Sequence, residues 1–105
     1  DDVLFVVMGE MSHTPRVHYV KGNPGREHWA RAMSVMLSGG GMTMGQAVGA
    51  TNARGSLPAN RPLVPGDLLA TLYRYVGVPL DLQFEDHAGR PTPILPEGSP
   101  IDELI

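Results

Sequence analysis

The sequence contains no cysteine, only one lysine and few aromatic residues, at 6%. Without cysteine, the chain can form no disulfide, no thiolate metal site and no cysteine nucleophile. It shows no signal-peptide pattern, and no apolar segment approaches the roughly 20 residues of a membrane-spanning helix. We therefore expect no membrane partner, and these absences leave the compartment open.

The charge pattern argues against nucleic-acid binding. The formal net charge is −3, and the arginines are scattered along the sequence rather than clustered. Nucleic-acid binding needs a basic stripe that neutralises phosphates, so we expect no nucleic-acid partner. A length of 105 residues with 42% apolar residues fits one ordered domain at most. The 13 glycines and 10 prolines predict many turns.

The most informative segment is the apolar run Val3–Met8. A continuous run rich in valine is typical of a strand buried on both faces of a parallel sheet. Ligands of open α/β sheets bind beyond the carboxyl ends of the strands. Glu10 follows the carboxyl end of this run, and the chain can bring His28 back to the same end. The two side chains are therefore candidates for a metal or acid–base site. Alternatively, Glu10 caps a loop and His28 packs beside Trp29.

A strand as hydrophobic as Val3–Met8 needs a neighbouring strand on each edge, but the sequence predicts few other strands. We therefore expect the 105 residues to be the C-terminal piece of a larger α/β domain. Its partner is then the missing N-terminal part of that domain, and its exposed apolar faces favour self-association. The alternative is a complete small α+β domain.

The middle of the chain predicts short elements. Residues 30–33 fit a helical turn, residues 34–38 a second buried strand and residues 46–51 a short strand or hairpin. The glycines at 39–41 lack the following Lys-Ser/Thr pair of a phosphate-binding loop, so a sharp turn or a close backbone approach explains them better. His18 lies in the long loop before these elements, where it either joins a site or is solvated.

A helix is predicted from Leu68 to Val76, because apolar residues recur at helical spacing. Asp67 is placed to cap its start, and Gly77 to end it. The remainder, residues 80–105, is rich in proline and acidic residues, and a last helical turn is expected to dock Ile101 and Leu104.

Asp86-His87 is the only adjacent Asp-His pair in the sequence. Such a pair suggests a metal motif, but no apolar strand precedes it to direct it into a crevice. We therefore favour a surface turn that ends at Gly89-Arg90-Pro91.

Several motifs occur in the same order as in a known family. They are Gly9-Glu10-Met11-Ser12-His13-Thr14-Pro15, Gly25-Arg26-Glu27-His28-Trp29, Ser34-Val35-Met36-Leu37-Ser38-Gly39-Gly40-Gly41, Gly49-Ala50-Thr51, Pro65-Gly66-Asp67-Leu68-Leu69-Ala70-Thr71 and Gly89-Arg90-Pro91. With these motifs the chain resembles the C-terminal part of a bacterial sulfatase-like family, a domain of unknown function in the alkaline phosphatase superfamily. The resemblance covers nearly the whole chain.

This resemblance implies an α/β fold, in which the chain is the C-terminal fragment of an alkaline-phosphatase-like three-layer α/β/α domain. Residues 1–105 then form the C-terminal portion of one sulfatase-like domain, with a strand, loop and helix body at 1–79 and a tail at 80–105. The implied parent is a metal-dependent sulfate or phosphate ester hydrolase. The fragment is expected to be inactive by itself, because the family's nucleophile and first aspartate lie upstream. The alternative is a non-catalytic binding or assembly domain.

The resemblance also assigns roles to residues. It makes His28 and Glu10 ligands of a divalent metal (Zn, Ca or Mg) in an incomplete site, with Glu27 orienting the His28 ring. His13 stands in place of the family's arginine and could donate a hydrogen bond to substrate. Met11 stands where the superfamily has a metal-binding histidine, which is a departure because thioether sulfur suits these ions poorly. Family members are often exported, which implies an extracytoplasmic location.

Overall fold

The computed structural model describes residues 2–105, and the chain forms two compact units, Asp1–Pro62 and Leu63–Ile105. The strands of the first unit are β1 Leu4–Val7, β2 Ser12–His13, β3 His18–Val20, β4 Asn23–Gly25, β5 His28–Trp29, β6 Met36–Gly39, β7 Ala50–Thr51 and β8 Pro58–Asn60. The second unit contains α1 Pro65–Val76, β9 Gln83–Glu85, β10 Pro91–Pro93 and a 3₁₀-helix Asp102–Leu104.

The predicted three-layer α/β/α fold is wrong. Across residues 2–105 the strands form five two-stranded antiparallel sheets, pairing β1 with β6, β2 with β5, β3 with β4, β7 with β8 and β9 with β10. A parallel sheet needs a long crossover, usually a helix, between successive strands. The described residues contain one α-helix, which follows all the strands of the first unit, so no crossover helix covers a sheet.

The strand predicted at Val3–Met8 exists as β1, but it is not buried on both faces. Its side chains alternate between half-buried and exposed, with Phe5 64% and Val7 56% exposed. The predicted second strand is also present, as β6, and Met36 on it is 58% exposed. The lack of a covering layer explains the difference, because the described residues of the first unit contain no helix that could cover a face of the β1–β6 pair.

A close backbone approach explains the glycines that follow β6. A Cβ atom on Gly39 would lie 2.5 Å from the Val3 carbonyl oxygen, and the Gly39 φ of +89° disfavours any other residue. The Gly40 N–H donates to that same oxygen over 2.8 Å. The predicted close approach is therefore confirmed, and the phosphate-loop interpretation is not needed.

Other local predictions have mixed outcomes. The hairpin strand expected within residues 46–51 is confirmed as β7, which pairs with β8. The helical turn expected at residues 30–33 is wrong, because Ala30 and Arg31 form a turn without helix. No helix in the described part of the chain is long and apolar enough to cross a membrane.

The predicted helix is confirmed as α1, together with its caps. The Val64 N–H donates to Asp67 Oδ2 over 2.9 Å, which holds the chain at the helix entrance. Gly77 adopts the left-handed conformation (φ 78°) and donates to the Arg74 carbonyl, so the helix ends there. Asp67 also accepts a hydrogen bond from the Ser99 N–H at Oδ1, so the residue acts as a cap and a cross-link.

The second unit has a small buried core on α1. The Thr71 hydroxyl donates to the Asp67 carbonyl and accepts from the Ile101 N–H over 2.9 Å. Ile101 and Leu104 are buried, as the predicted last helical turn required. A buried hydroxyl with both partners in place fixes where the C-terminal segment crosses the helix.

Asp86 organises the turn that joins β9 to β10, which confirms the surface-turn interpretation. Its Oδ1 accepts from the backbone N–H groups of Ala88 and Arg90, and its Oδ2 accepts from the Arg90 guanidinium at 2.8 Å. The backbone hydrogen bond from Arg90 has the largest effect and lowers the pKa of Asp86. Burial opposes it, and the side-chain bond from Arg90 and the backbone bond from Ala88 lower the pKa further.

We expect this turn to loosen only in strong acid. Because the folded pKa of Asp86 lies below its ordinary value of 3.8, its contribution to stability is present above pH 3.8 and is lost as pH falls through the folded pKa. The amide proton shifts of Ala88 and Arg90 should therefore titrate with a midpoint below 3.8. The same titration should vanish in Asp86→Asn. A midpoint at or above the ordinary value would contradict the prediction.

Candidate anion-binding cleft

The short ladder between β2 and β5 brings two of the sequence-predicted residues together. His13 lies directly opposite His28, and Ser12 lies opposite Trp29. Glu10 is exposed, in a bend between β1 and β2. Glu27 directly precedes β5, and its backbone N–H and C=O both bond to Thr14. The metal role of His28 and Glu10, and the supporting roles of Glu27 and His13, stay predictions.

Thr14 extends this ladder and fixes the segment that follows it. Its backbone N–H donates to the Glu27 carbonyl over 2.8 Å, and its hydroxyl accepts from the Glu27 N–H over 3.2 Å. The same hydroxyl donates to the Arg16 carbonyl over 2.9 Å. Thr14 is only 8% exposed, so these bonds are shielded from water. They set the backbone of Arg16 against β5.

Trp29 fixes a second segment on the other side of the same region. Its indole N–H donates to the Ser56 carbonyl over 2.8 Å. Ser56 lies in a tight turn in which the Asn52 side chain accepts from the Ser56 N–H over 2.9 Å and the Gly55 N–H donates to the Asn52 carbonyl. Arg54 sits at the centre of this turn, so the indole and the Asn52 side chain together set where Arg54 lies.

The two segments and β5 border an open cleft of about 550 Å³. It is lined by Thr14, Pro15, Arg16, His18, Trp29, Arg54 and Ser56. Three of these side chains are basic and none is a carboxylate. A volume of this size is typical of sites that hold a small organic ligand.

The electrostatics of the cleft follow from how charge is divided along the chain. Residues 1–62 carry six basic against four acidic residues, whereas residues 63–105 carry two against seven. Neither Arg16 nor Arg54 forms an ion pair with another residue of the described range 2–105. Their guanidinium groups therefore keep their hydrogen-bond donors available for an external anion.

Removing the Thr14 hydroxyl should weaken the first unit. In Thr14→Val the Arg16 carbonyl and the Glu27 N–H lose a partner at a buried position, which should lower the free energy of unfolding by about 1–3 kcal/mol. Urea unfolding followed by Trp29 fluorescence measures this change. Thr43→Val, at an exposed position, serves as the matched control and should have little effect. Equal unfolding free energies for the two variants would contradict this account of Thr14.

A complete metal site is not formed by these residues. Structural zinc sites use four protein ligands and catalytic ones three, while calcium needs six or more oxygens. Residues 2–105 contain no group of three or more His, Asp or Glu side chains able to hold a metal ion. The donor set present therefore does not fit a fully ligated ion.

Comparison with known proteins places the chain in a family. It belongs to DUF1501, described as a protein of unknown function, whose family model matches residues 1–105. No curated protein and no solved structure matches the chain. The family match carries no link to sulfatase-like proteins or to the alkaline phosphatase superfamily.

The arginines that dominate the cleft were missed by sequence analysis. Arg16 and Arg54 lie far apart in the sequence, and the scattering of the arginines served there only as an argument against nucleic-acid binding. Arg16 follows Thr14-Pro15 and Arg54 lies within Asn52–Gly55, so the sequence marks both as turn residues. Nothing in the sequence indicates that the two turns lie next to each other. His18, left open between a site and a solvated loop, does line the cleft.

Proposed function

We propose that this chain binds the sulfate or phosphate group of an ester ligand in the cleft. We further propose that in a longer, sulfatase-like protein this binding serves metal-dependent ester hydrolysis, and that the 105-residue chain is inactive by itself. The observation that carries the proposal is the grouping of Arg16, Arg54 and His18 around one cleft without a carboxylate.

The number and kind of donors favour a tetrahedral oxyanion. Each guanidinium group presents a planar fork that matches two oxygens of a sulfate or phosphate, and the imidazole adds a further donor. A carboxylate accepts at two coplanar oxygens, whereas a sulfate or phosphate group presents more oxygens in a tetrahedral arrangement. A sulfate or phosphate group offers enough oxygens for all three.

The remaining lining favours an ester over a free inorganic ion. A cleft of about 550 Å³ is much larger than an inorganic anion. Pro15 and the half-buried Trp29 provide apolar wall beside the basic side chains. An organic group attached to the anion would cover this wall and remove its apolar surface from water.

The hydroxyl groups of the cleft support the expectation that the chain alone does not hydrolyse esters. The Thr14 hydroxyl donates its proton to the Arg16 carbonyl, and the Ser56 hydroxyl lies 3.2 Å from the Asn52 carboxamide oxygen. A nucleophilic hydroxyl needs an adjacent general base that accepts its proton. Both hydroxyls instead serve the backbone turns. The divalent metal (Zn, Ca or Mg) stays part of the proposal, in a site that His28 and Glu10 fill only in part.

A non-catalytic binding or assembly domain is the second candidate function. Two observations favour it. The described residues supply no three-ligand metal group. In addition, the β1–β6 sheet exposes Phe5, Val7 and Met36 on the same face, which an assembly partner would cover. Self-association is one form of this role, and sedimentation at increasing protein concentration measures it.

Titration of the 105-residue chain with sulfate and phosphate tests the proposed binding. Trp29 is the only tryptophan, so its fluorescence reports on the cleft directly. We expect a saturable change with either tetrahedral anion and none with chloride at the same ionic strength. Equal responses to chloride and sulfate, or no response at all, would contradict the proposal.

Ester turnover separates the two candidate functions. The hydrolase proposal predicts that a longer protein containing this chain hydrolyses a sulfate or phosphate ester and that Arg16→Gln lowers its kcat/KM. If the longer protein binds the ester through Arg16 but shows no turnover with Zn²⁺, Ca²⁺ or Mg²⁺ supplied, the non-catalytic role is the correct one.

A further inference from the structure

We propose that His13 and His28 together form a two-imidazole binding site for a divalent transition-metal ion such as Zn²⁺ or Ni²⁺. The site lies on the face of the β2–β5 ladder opposite Trp29. It does not depend on the function proposed for the cleft.

Strand pairing brings the two imidazoles together. His13 and His28 are directly opposite each other in an antiparallel ladder. Residues in this relation have Cβ atoms about 4.5–5.5 Å apart, on the same face of the sheet. Each of the two imidazole rings can direct one nitrogen atom toward the same ion, at a zinc–nitrogen distance of about 2.0–2.1 Å. Both histidines are exposed, so an ion reaches them from solvent.

The alternation of side chains along the strands separates this site from the cleft. Successive residues of a strand point to opposite faces, so Ser12 and Trp29 lie on the face away from the histidines. Trp29 lines the cleft and bonds to Ser56. An ion held by His13 and His28 therefore occupies the other face and does not contact the anion in the cleft.

The donor set selects the kind of ion. Within residues 2–105, neither Glu10 nor any other carboxylate joins the two histidines in a group of three possible ligands. Imidazole nitrogen suits zinc, nickel and copper, whereas calcium and magnesium require mostly oxygen ligands. The site should therefore bind transition metals and reject Ca²⁺ and Mg²⁺. Water completes the coordination of the bound ion.

Metal titration of the 105-residue chain tests this site. Isothermal calorimetry with Ni²⁺ and with Zn²⁺ should show one ion per chain, and neither Mg²⁺ nor Ca²⁺ should give heat. His13→Gln and His28→Gln should each weaken Ni²⁺ binding about tenfold or more, since each removes one of two direct ligands. His87→Gln, an exposed histidine of the β9–β10 turn, is the matched control and should bind as the original chain does.

Nuclear magnetic resonance supplies a second readout that does not depend on affinity. Substoichiometric Ni²⁺ should broaden the imidazole signals of His13 and His28 together before those of His18 and His87. The proposal is overturned if both single variants bind Ni²⁺ as tightly as the original chain, or if only one of them weakens binding. It is equally overturned if His87→Gln or His18→Gln causes the larger loss.

Discussion

Replacing Arg16 and Arg54 together with glutamine is expected to abolish saturable sulfate and phosphate binding. Hydrogen bonds to a charged partner contribute about 1.5–3 kcal/mol each, so losing both guanidinium groups should weaken binding by at least about 100-fold. Each single variant should give a smaller loss. The measurement is the Trp29 fluorescence titration described above, repeated for each variant.

Two further variants show whether charge or geometry causes the loss. Arg26→Gln removes the same charge from an exposed position of the first unit that does not line the cleft, and it should leave sulfate affinity nearly unchanged. Arg16→Lys keeps the charge but loses the planar fork, so its affinity should lie between those of the original chain and Arg16→Gln. An Arg26→Gln effect as large as that of Arg16→Gln would show that net charge alone attracts the anion.

Gly98→Ala is expected to unfold the second unit or to weaken it severely. Gly98 has a φ of +116°, and an added Cβ would overlap the backbone of Gly66 in the first turn of α1. The reverse holds as well, because a Cβ on Gly66 would overlap the Glu97 carbonyl. Neither backbone can move freely, since Asp67 holds the Ser99 N–H beside the helix. We expect a loss of about 3 kcal/mol or more.

Helical ellipticity reports on this change in the second unit, because α1 is the one α-helix among residues 2–105. Thermal unfolding followed at 222 nm should show a much lower midpoint for Gly98→Ala and for Gly66→Ala. Gly89→Ala is the control, because Gly89 also has a positive φ (+74°) but no atom lies within 4 Å of its added Cβ. Its cost should be limited to about 1 kcal/mol of backbone strain. Equal midpoints for Gly89→Ala and Gly98→Ala would refute the close-packing explanation.

Sequence patterns predicted α1 and its ends because every local signal agreed there. The apolar stripe, the capping Asp67 and the terminating Gly77 all act within a few residues of one another, and the helix needs no distant strand to define it. The final turn was predicted for a similar reason, since Ile101 and Leu104 are spaced to meet one surface. Signals of this kind act between residues that are close in the sequence, so they can be recognised without knowledge of the tertiary structure.

Sheet topology was predicted wrongly because hydrophobicity does not specify the direction or number of neighbouring strands. The run at Val3–Met8 was interpreted as a parallel strand with two neighbours, but β1 pairs with β6 alone and in antiparallel orientation. An apolar strand with one exposed face and an apolar strand with two buried faces can have the same residue composition. The layers that pack over the strand and its pairing partner distinguish them, and the partner of β1 lies about thirty residues away in the sequence.

The candidate cleft was partly accessible from the sequence. The long loop that contains His18 was expected either to bring this residue to a site or to leave it solvated, and the residues that line the cleft on one side do lie in that loop. The second side comes from the Asn52–Ser56 turn, which the sequence marks only as a polar surface loop. The indole bond from Trp29 to Ser56 joins the two sides, and no local pattern predicts which carbonyl a tryptophan N–H will reach.

The most direct test of the central claim is a titration of the ¹⁵N-labelled chain with sulfate, followed by amide and indole shifts. Binding in the cleft predicts saturable shifts confined to residues 14–18, 54–56 and the Trp29 indole N–H, with the same affinity at each. Arg16→Gln together with Arg54→Gln should remove them while the rest of the spectrum is unchanged. Shifts that grow linearly without saturation, or that centre on residues 63–105, would contradict the assignment of this cleft as the anion site.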